Sequence, residues 1–330
     1  MLVPNHMPAG NETPATPADE SFLNHVCAPF LLHSQNPDGG WAFHPESPSC
    51  VEPASWALLA LNSLSEFPQA HRAVQRGCDW LRAAQLPNGS WPSQSGLTEG
   101  SWVTAPACLA LQLHPDPGDA VARGIDWLCH QRPSEGRLWW RFLHWVQRSS
   151  AVVRHDLSLP GWSWTPGTSS WVEPTAISLI LMRGAAKNAG PSTLARRCRQ
   201  ATALLYDRMC PGGGWNSGNP IVYGVPGEPQ PASTAWALLA LQEHQDRKEN
   251  QESLRWLARI YPRIEGPSSL ALSRICLRTC GHTLPPGPDF HRLHARNEFF
   301  RDVSVYAWVT LALVPLQPWL SWSALDRGQP

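Results

Sequence analysis

Two kinds of segment alternate along the chain when its positions are sorted into apolar and polar. One kind is apolar on nearly every side: Trp56-Ala57-Leu58-Leu59-Ala60-Leu61, Leu109-Ala110-Leu111, Ile177 to Met182, Trp236-Ala237-Leu238-Leu239-Ala240-Leu241, Leu270 to Leu277, and Ala307 to Leu313. A helix without a polar face must be enclosed by protein, so these segments predict six inner helices. The other kind keeps its charges on one side, as in Arg76-Gly77-Cys78-Asp79-Trp80-Leu81 and Arg196-Arg197-Cys198-Arg199, and predicts outer helices. Several inner helices open in similar words. Val51-Glu52-Pro53-Ala54-Ser55, Ala105-Pro106-Ala107-Cys108 and Val172-Glu173-Pro174-Thr175-Ala176 each lead into an apolar run. Proline suits the first turn, because the N–H it lacks had no partner there and its φ is already helical.

The loops between outer and inner helices repeat too. Gln35-Asn36-Pro37-Asp38-Gly39-Gly40-Trp41 and Gln85-Leu86-Pro87-Asn88-Gly89-Ser90-Trp91 keep one Gln-to-Trp spacing, and Gly-Trp returns at Trp162 and Trp215. A period of about fifty residues indicates stacked helical hairpins, each too small to bury its apolar face alone. Six of them would close a ring. The chain is therefore read as one domain over residues 21–322, with a disordered tail at 1–20, a Trp-rich insertion at 132–160 carrying Trp139, Trp140 and Trp145, and a C-terminal tail at 323–330. An excursion of that length in a compact repeat points to a lid or binding element.

Composition narrows the function classes. Lys plus Arg equals Asp plus Glu at 26 each, which gives no electrostatic case for nucleic acid. The nine cysteines are odd in number and scattered, unlike a disulfide scaffold, so they read as mostly reduced. Residues 1–20 lack a basic and an apolar region of the kind that directs export, and no apolar run approaches membrane-spanning length. The expectation is a cytoplasmic protein with peripheral membrane contact open to it. Eighteen tryptophans demand burial or a ligand.

Arg76-Gly77, Trp80-Leu81, Gln85, Gly89 and Trp91 together resemble the QW repeat of the squalene–hopene cyclase and oxidosqualene cyclase family, and the frame extends over roughly residues 22 to 315. The resemblance implies an all-α fold, an α/α toroid (α6/α6 barrel), binding a polyisoprenoid in an aromatic-lined central cavity without cofactor or metal. Cyclases of this family protonate an alkene or epoxide from a D-x-D-D motif at the start of an inner helix. That motif is absent here. Laid on the same helix start, Glu173 takes the protonating position and Pro174 that of the supporting Asp, while Asp302 in the last unit matches only the first Asp.

The candidate catalytic residues are therefore Glu173, Asp302 and Glu52, and the candidate substrate-binding residues are Trp56, Trp162, Trp164, Trp171, Trp236, Tyr306 and Trp308. A carboxyl buried among indoles has its pKa raised and can give a proton to a π-bond, although a helix N-terminus opposes that rise. Glu52-Pro53 shows that the same pair also arises as repeat architecture. Two outcomes stay open: an acid-initiated, metal-free cyclase, or an isoprenoid-binding or scaffold protein without activity. The zinc prenyltransferases are a further relative; Asp207, Cys210, His291 and His294 supply ligand types, but not at the inner-helix start where that branch keeps them.

Overall fold

The structure is a computed structural model, and it describes residues 16–64, 67–115, 117–134, 156, 158–186, 193–296 and 301–320. Nearly all of the insertion, Trp139, Trp140 and Trp145 included, lies outside the described residues, as does the 323–330 tail. Inner helices are α3 (Val51–Asn62), α5 (Thr104–Leu111), α7 (Val172–Ala186), α9 (Pro231–Ala240), α11 (Pro267–Thr279) and α13 (Val303–Leu313). Each packs on the next, and α13 returns to α3, so the six expected segments close a ring. Outside them stand α4 (Pro68–Ala83), α6 (Ala120–His130), α8 (Thr193–Asp207), α10 (Lys248–Ile260) and α12 (Phe290–Arg296). The first outer element is composite: α1 (Pro17–Phe22), a π-helical turn Leu23–Cys27 and α2 (Ala28–His33). The fold is an all-α toroid of helical hairpins, with a two-stranded hairpin, β1 (Ile221–Val222) and β2 (Val225–Pro226), in one loop.

Ordered structure begins earlier than the sequence pattern indicates. Thr16 Oγ1 accepts from the Asp19 N–H at 3.1 Å, the Asp19 carboxylate accepts from the Thr16 N–H at 3.3 Å, and Pro17 opens the helix. This reciprocal cap satisfies two donors with no helical partner. Phe22 is then buried, and Asp19 pairs with Arg274 on α11 at 3.0 Å.

The loop motif works as a clip between units. Gln35 Nε2 donates to the carbonyls of Gly39 and Ala73, both at 2.8 Å, and Gln85 does the same to Gly89 and Ala120, both at 2.9 Å. Trp41, Trp91 and Trp215 donate their indole N–H to the carbonyls of Leu31, Leu81 and Leu205. Gly89 has φ +88°, and a Cβ there would lie 2.6 Å from the Arg123 carbonyl oxygen, so the next outer helix fits only against glycine. In the third unit it is Arg197, on α8, that meets the loop carbonyl before the tryptophan. Its guanidinium donates to the Gly161 carbonyl at 2.8 Å and lies 4.1 Å above the Trp162 ring.

Candidate functional site at the mouth of the barrel

All six inner helices begin at one end of the barrel, where the outer-to-inner loops deliver them. Trp56, Trp236 and Trp308 are each the sixth residue of their helix and meet one another, with ring centroids 4.6 Å apart for Trp56 and Trp308, 5.2 Å for Trp236 and Trp308, and 6.0 Å for Trp56 and Trp236. Helices α3 and α9 face each other across the ring, so indoles 6.0 Å apart reach over the barrel axis. The three are 2%, 4% and 5% exposed, and so touch each other and the surrounding helices rather than open space. The layer forms a floor one turn below the helix starts. Ala60, Leu61, Leu111 and Leu239, further along these helices, are buried as well.

The carboxylates stand above this floor. Glu52 and Glu173 lie in the first turns of α3 and α7, and Asp302 is the N-cap of α13, its Oδ1 accepting from the Ser304 N–H at 2.7 Å. Burial pushes the Glu52 carboxyl up to about 7, the Trp56 side chain bonded to it pulls the other way, and the charges of Asp302 and Glu173 add to the rise. Burial likewise raises Glu173, against a hydrogen bond from Ser233 on the adjacent α9, whose Oγ donates to Oε1 at 3.0 Å. At both glutamates desolvation outweighs the hydrogen bond that favours the charged form. Cys50, just before α3, is raised by burial and by the Glu52 charge.

The remaining sequence candidates divide by position. Trp162 is 3% exposed and donates its indole N–H to the Leu128 carbonyl at 3.0 Å, the bond that Trp41, Trp91 and Trp215 make, which places it in the clip and away from the axis. Tyr306 stacks on Phe30 of α2 with centroids 3.8 Å apart, and its hydroxyl meets His294 Nδ1 at 3.3 Å, so it faces the outer layer. Trp164 packs edge-on against Trp102 with centroids 4.7 Å apart, and Trp171 is half-buried beside Gly218. Among the described residues no group of three or more His, Cys, Asp or Glu side chains is arranged to hold a metal ion, and Asp207 instead pairs with Arg208 at 3.5 Å.

Trp102 escaped sequence reasoning. The Trp91 N–H donates to Thr104 Oγ1 thirteen residues on, as the Trp162 N–H does to Thr175 Oγ1, and this shared bond fixes the register of the second unit. On that register Trp102, eleven residues after Trp91, occupies the position of Glu52 and Glu173. The expected alignment of Ala105-Pro106 with Glu52-Pro53 is displaced by three residues, with Pro106 inside the first turn of α5. The eleven-residue spacing was the signal available. Trp102 and Trp162, with Trp127 and Pro166, line a shallow cleft at this rim.

No family model matches the chain. Squalene–hopene cyclase of Zymomonas mobilis is 29% identical over 126 residues, which cover 33% of this chain and 18% of that protein. Drimenyl diphosphate synthase of Streptomyces showdoensis is 29% identical over 218 residues, covering 64% of this chain and 34% of that protein. The matches thus span about a fifth to a third of these relatives' lengths. Among solved structures, cellobiose 2-epimerase from Spirochaeta thermophila superposes with a TM-score of 0.53 at 12% identity, over 88% of this chain and 82% of that one, a likeness of fold alone.

Proposed function

From the squalene cyclase-like character of this chain, we propose that it binds an isoprenoid at the mouth of the barrel, against the Trp56, Trp236 and Trp308 floor, and cyclises it after protonating an alkene. Glu173, Asp302 and Glu52 are the carboxylates of that reaction, and Trp164 and Trp171 with the floor indoles are its apolar walls. The observation that carries this reading is the pair of desolvated glutamates in the first turns of α3 and α7, at the end of the barrel where three inner-helix indoles pack on one another. Burial favours the protonated form of both carboxyls, and aromatic π-faces stabilise a cation. The Gln35 to Trp41 and Gln85 to Trp91 clips support reading the loops as the family's QW repeat.

Leu97 is 49% exposed, Tyr223 78% and Val225 65%, and all three stand on loops that lead into inner-helix starts. They support peripheral contact of the mouth with a membrane that holds an apolar substrate. Among the described residues no helix is long and apolar enough to cross one. All nine thiols are free, in keeping with a reducing, cytoplasmic setting.

One observation favours the second reading, an isoprenoid-binding protein without activity. The floor indoles are closed on one another, and Pro174 stands where the cyclases keep a supporting Asp. Incubating the full chain with squalene, farnesyl diphosphate and geranylgeranyl diphosphate separates the two. Cyclic product supports the cyclase; a retained isoprenoid recovered unchanged supports the binder.

A further inference from the structure

Charge is distributed unevenly around the mouth. The loops into the first, second and fourth inner helices carry Asp38 and Glu46, Glu99, and Glu228, all exposed, and Glu52, Glu173 and Asp302 stand at the helix starts behind them. The one cation in those three loops is Arg208, which is 1% exposed and paired with Asp207 at 3.5 Å. Residues 158–171, the described part of the third loop, hold no charged side chain. The fifth and sixth loops carry one basic residue each, Arg263 close to Glu265 and Arg301 next to Asp302. Inner-helix N-termini aim backbone donors at this end and by themselves would draw an anion. The acids set against them turn the local field the other way, and a like charge brought up to it is disfavoured.

What the mouth offers instead is a neutral hydrogen bond. Ser304 lies four residues before Trp308 on α13, so the two share a helix face, and that face carries the Trp308 indole onto Trp56 and Trp236. Ser304 is 8% exposed, and its Oγ has no hydrogen-bond partner among the described residues. A buried hydroxyl without a partner is costly unless a ligand's polar atom meets it. The cleft at the rim repeats the pattern. Trp102, Trp127 and Trp162 line it together with Gln131 and Ser101, and none of its lining residues is charged. Ser101 is 7% exposed, and its Oγ likewise has no partner among the described residues.

We propose that this site selects an uncharged isoprenoid bearing a hydroxyl, an isoprenoid alcohol, and turns away isoprenoid diphosphates. This rests on the isoprenoid reading above and adds the chemistry of the head group. The apolar chain lies against the indoles, where neither partner carries a charge. Ser304 Oγ exchanges a hydrogen bond with the alcohol oxygen, which a hydrocarbon cannot supply. The acids of the loops and helix starts raise the cost of an anionic head, and the described loops hold no free cluster of cations to offset it.

The test is binding of farnesol, farnesyl diphosphate and farnesene to the full chain, read by tryptophan fluorescence at low and high salt. The three probes share a chain length and differ in the head. Farnesol is expected to bind at least about 10-fold tighter than farnesyl diphosphate at low salt, and added salt should narrow the gap by screening the repulsion. S304A is expected to weaken farnesol about 5-fold, the worth of one net hydrogen bond, and to leave farnesene unchanged. The double variant E52Q/E173Q should strengthen farnesyl diphosphate while farnesol holds. Circular dichroism matching the native spectrum excludes misfolding in each variant. Farnesyl diphosphate bound as tightly as farnesol, or weakened by salt, overturns the head-group assignment and leaves an isoprenoid site standing. S304A that weakens farnesol and farnesene alike, or neither, overturns the role of Ser304. A native chain that binds none of the three overturns the isoprenoid reading and the assignment with it.

Discussion

Glu52 in the folded chain still holds its proton at a pH where the unfolded chain has released it. Its carboxyl rises from an ordinary value of 4.5 to about 7, so the stability this group supports is complete below 4.5 and is lost as pH climbs through 7. Replacing it with glutamine removes that loss. E52Q is expected to exceed the native chain in stability by on the order of 2–3 kcal/mol at pH 8 and to match it near pH 4, read from urea unfolding at both values. Arg197 works in the opposite sense. It is 4% exposed, binds the Gly161 carbonyl and covers Trp162. R197M leaves that carbonyl unmet and uncovers the ring, and is expected to lower stability by about 2–4 kcal/mol in the same measurement.

At the scale of elements, the inner helices set the depth of the site. Because the sixth residues of α3, α9 and α13 are all tryptophan, indoles meet over the axis, and under the proposed function an isoprenoid would be confined to the turn above them. W308A is expected to cost about 3–5 kcal/mol in stability. It should also shift preference toward longer chains, checked by competition between farnesol and squalene for the variant and the native chain. The helices and their inner or outer placement were legible in the sequence, since an all-apolar helix must be enclosed. Glu52 and Glu173 were legible as helix-start carboxylates above tryptophans. What was hidden depended on contacts between distant segments. That Trp56 touches Trp236 rather than a void, that Thr104 sets the register of α5, and that Arg197 reaches the Gly161 carbonyl and covers Trp162 are facts of three-dimensional proximity. Proline misled at Ala105-Pro106, because it is tolerated throughout the first turn and so does not mark one position.

For the whole molecule, the closed ring replaces the capping units that an open helical array needs. Closure depends on joining the sixth unit to the first. The Val303 N–H donates to the Phe43 carbonyl at 2.8 Å, α13 packs on α3, and the Asp19–Arg274 pair ties α1 to α11. Both members of that pair are about one-eighth exposed, at 12% and 13%. Removing one partner leaves the other charge uncompensated, so D19A is expected to lower stability by about 3 kcal/mol. Faster hydrogen exchange in α13 and α3 than in α7 would show that the seam opens first. The indole layer has a further, optical consequence. Chromophores 4.6 to 6.0 Å apart share their excited states, so this trio should give a coupled near-ultraviolet dichroism band that single tryptophans do not. An isoprenoid that wedges between the rings would abolish the coupling, whereas one that rests on top would leave it intact. The protein thus contains its own gauge of how deeply a ligand penetrates.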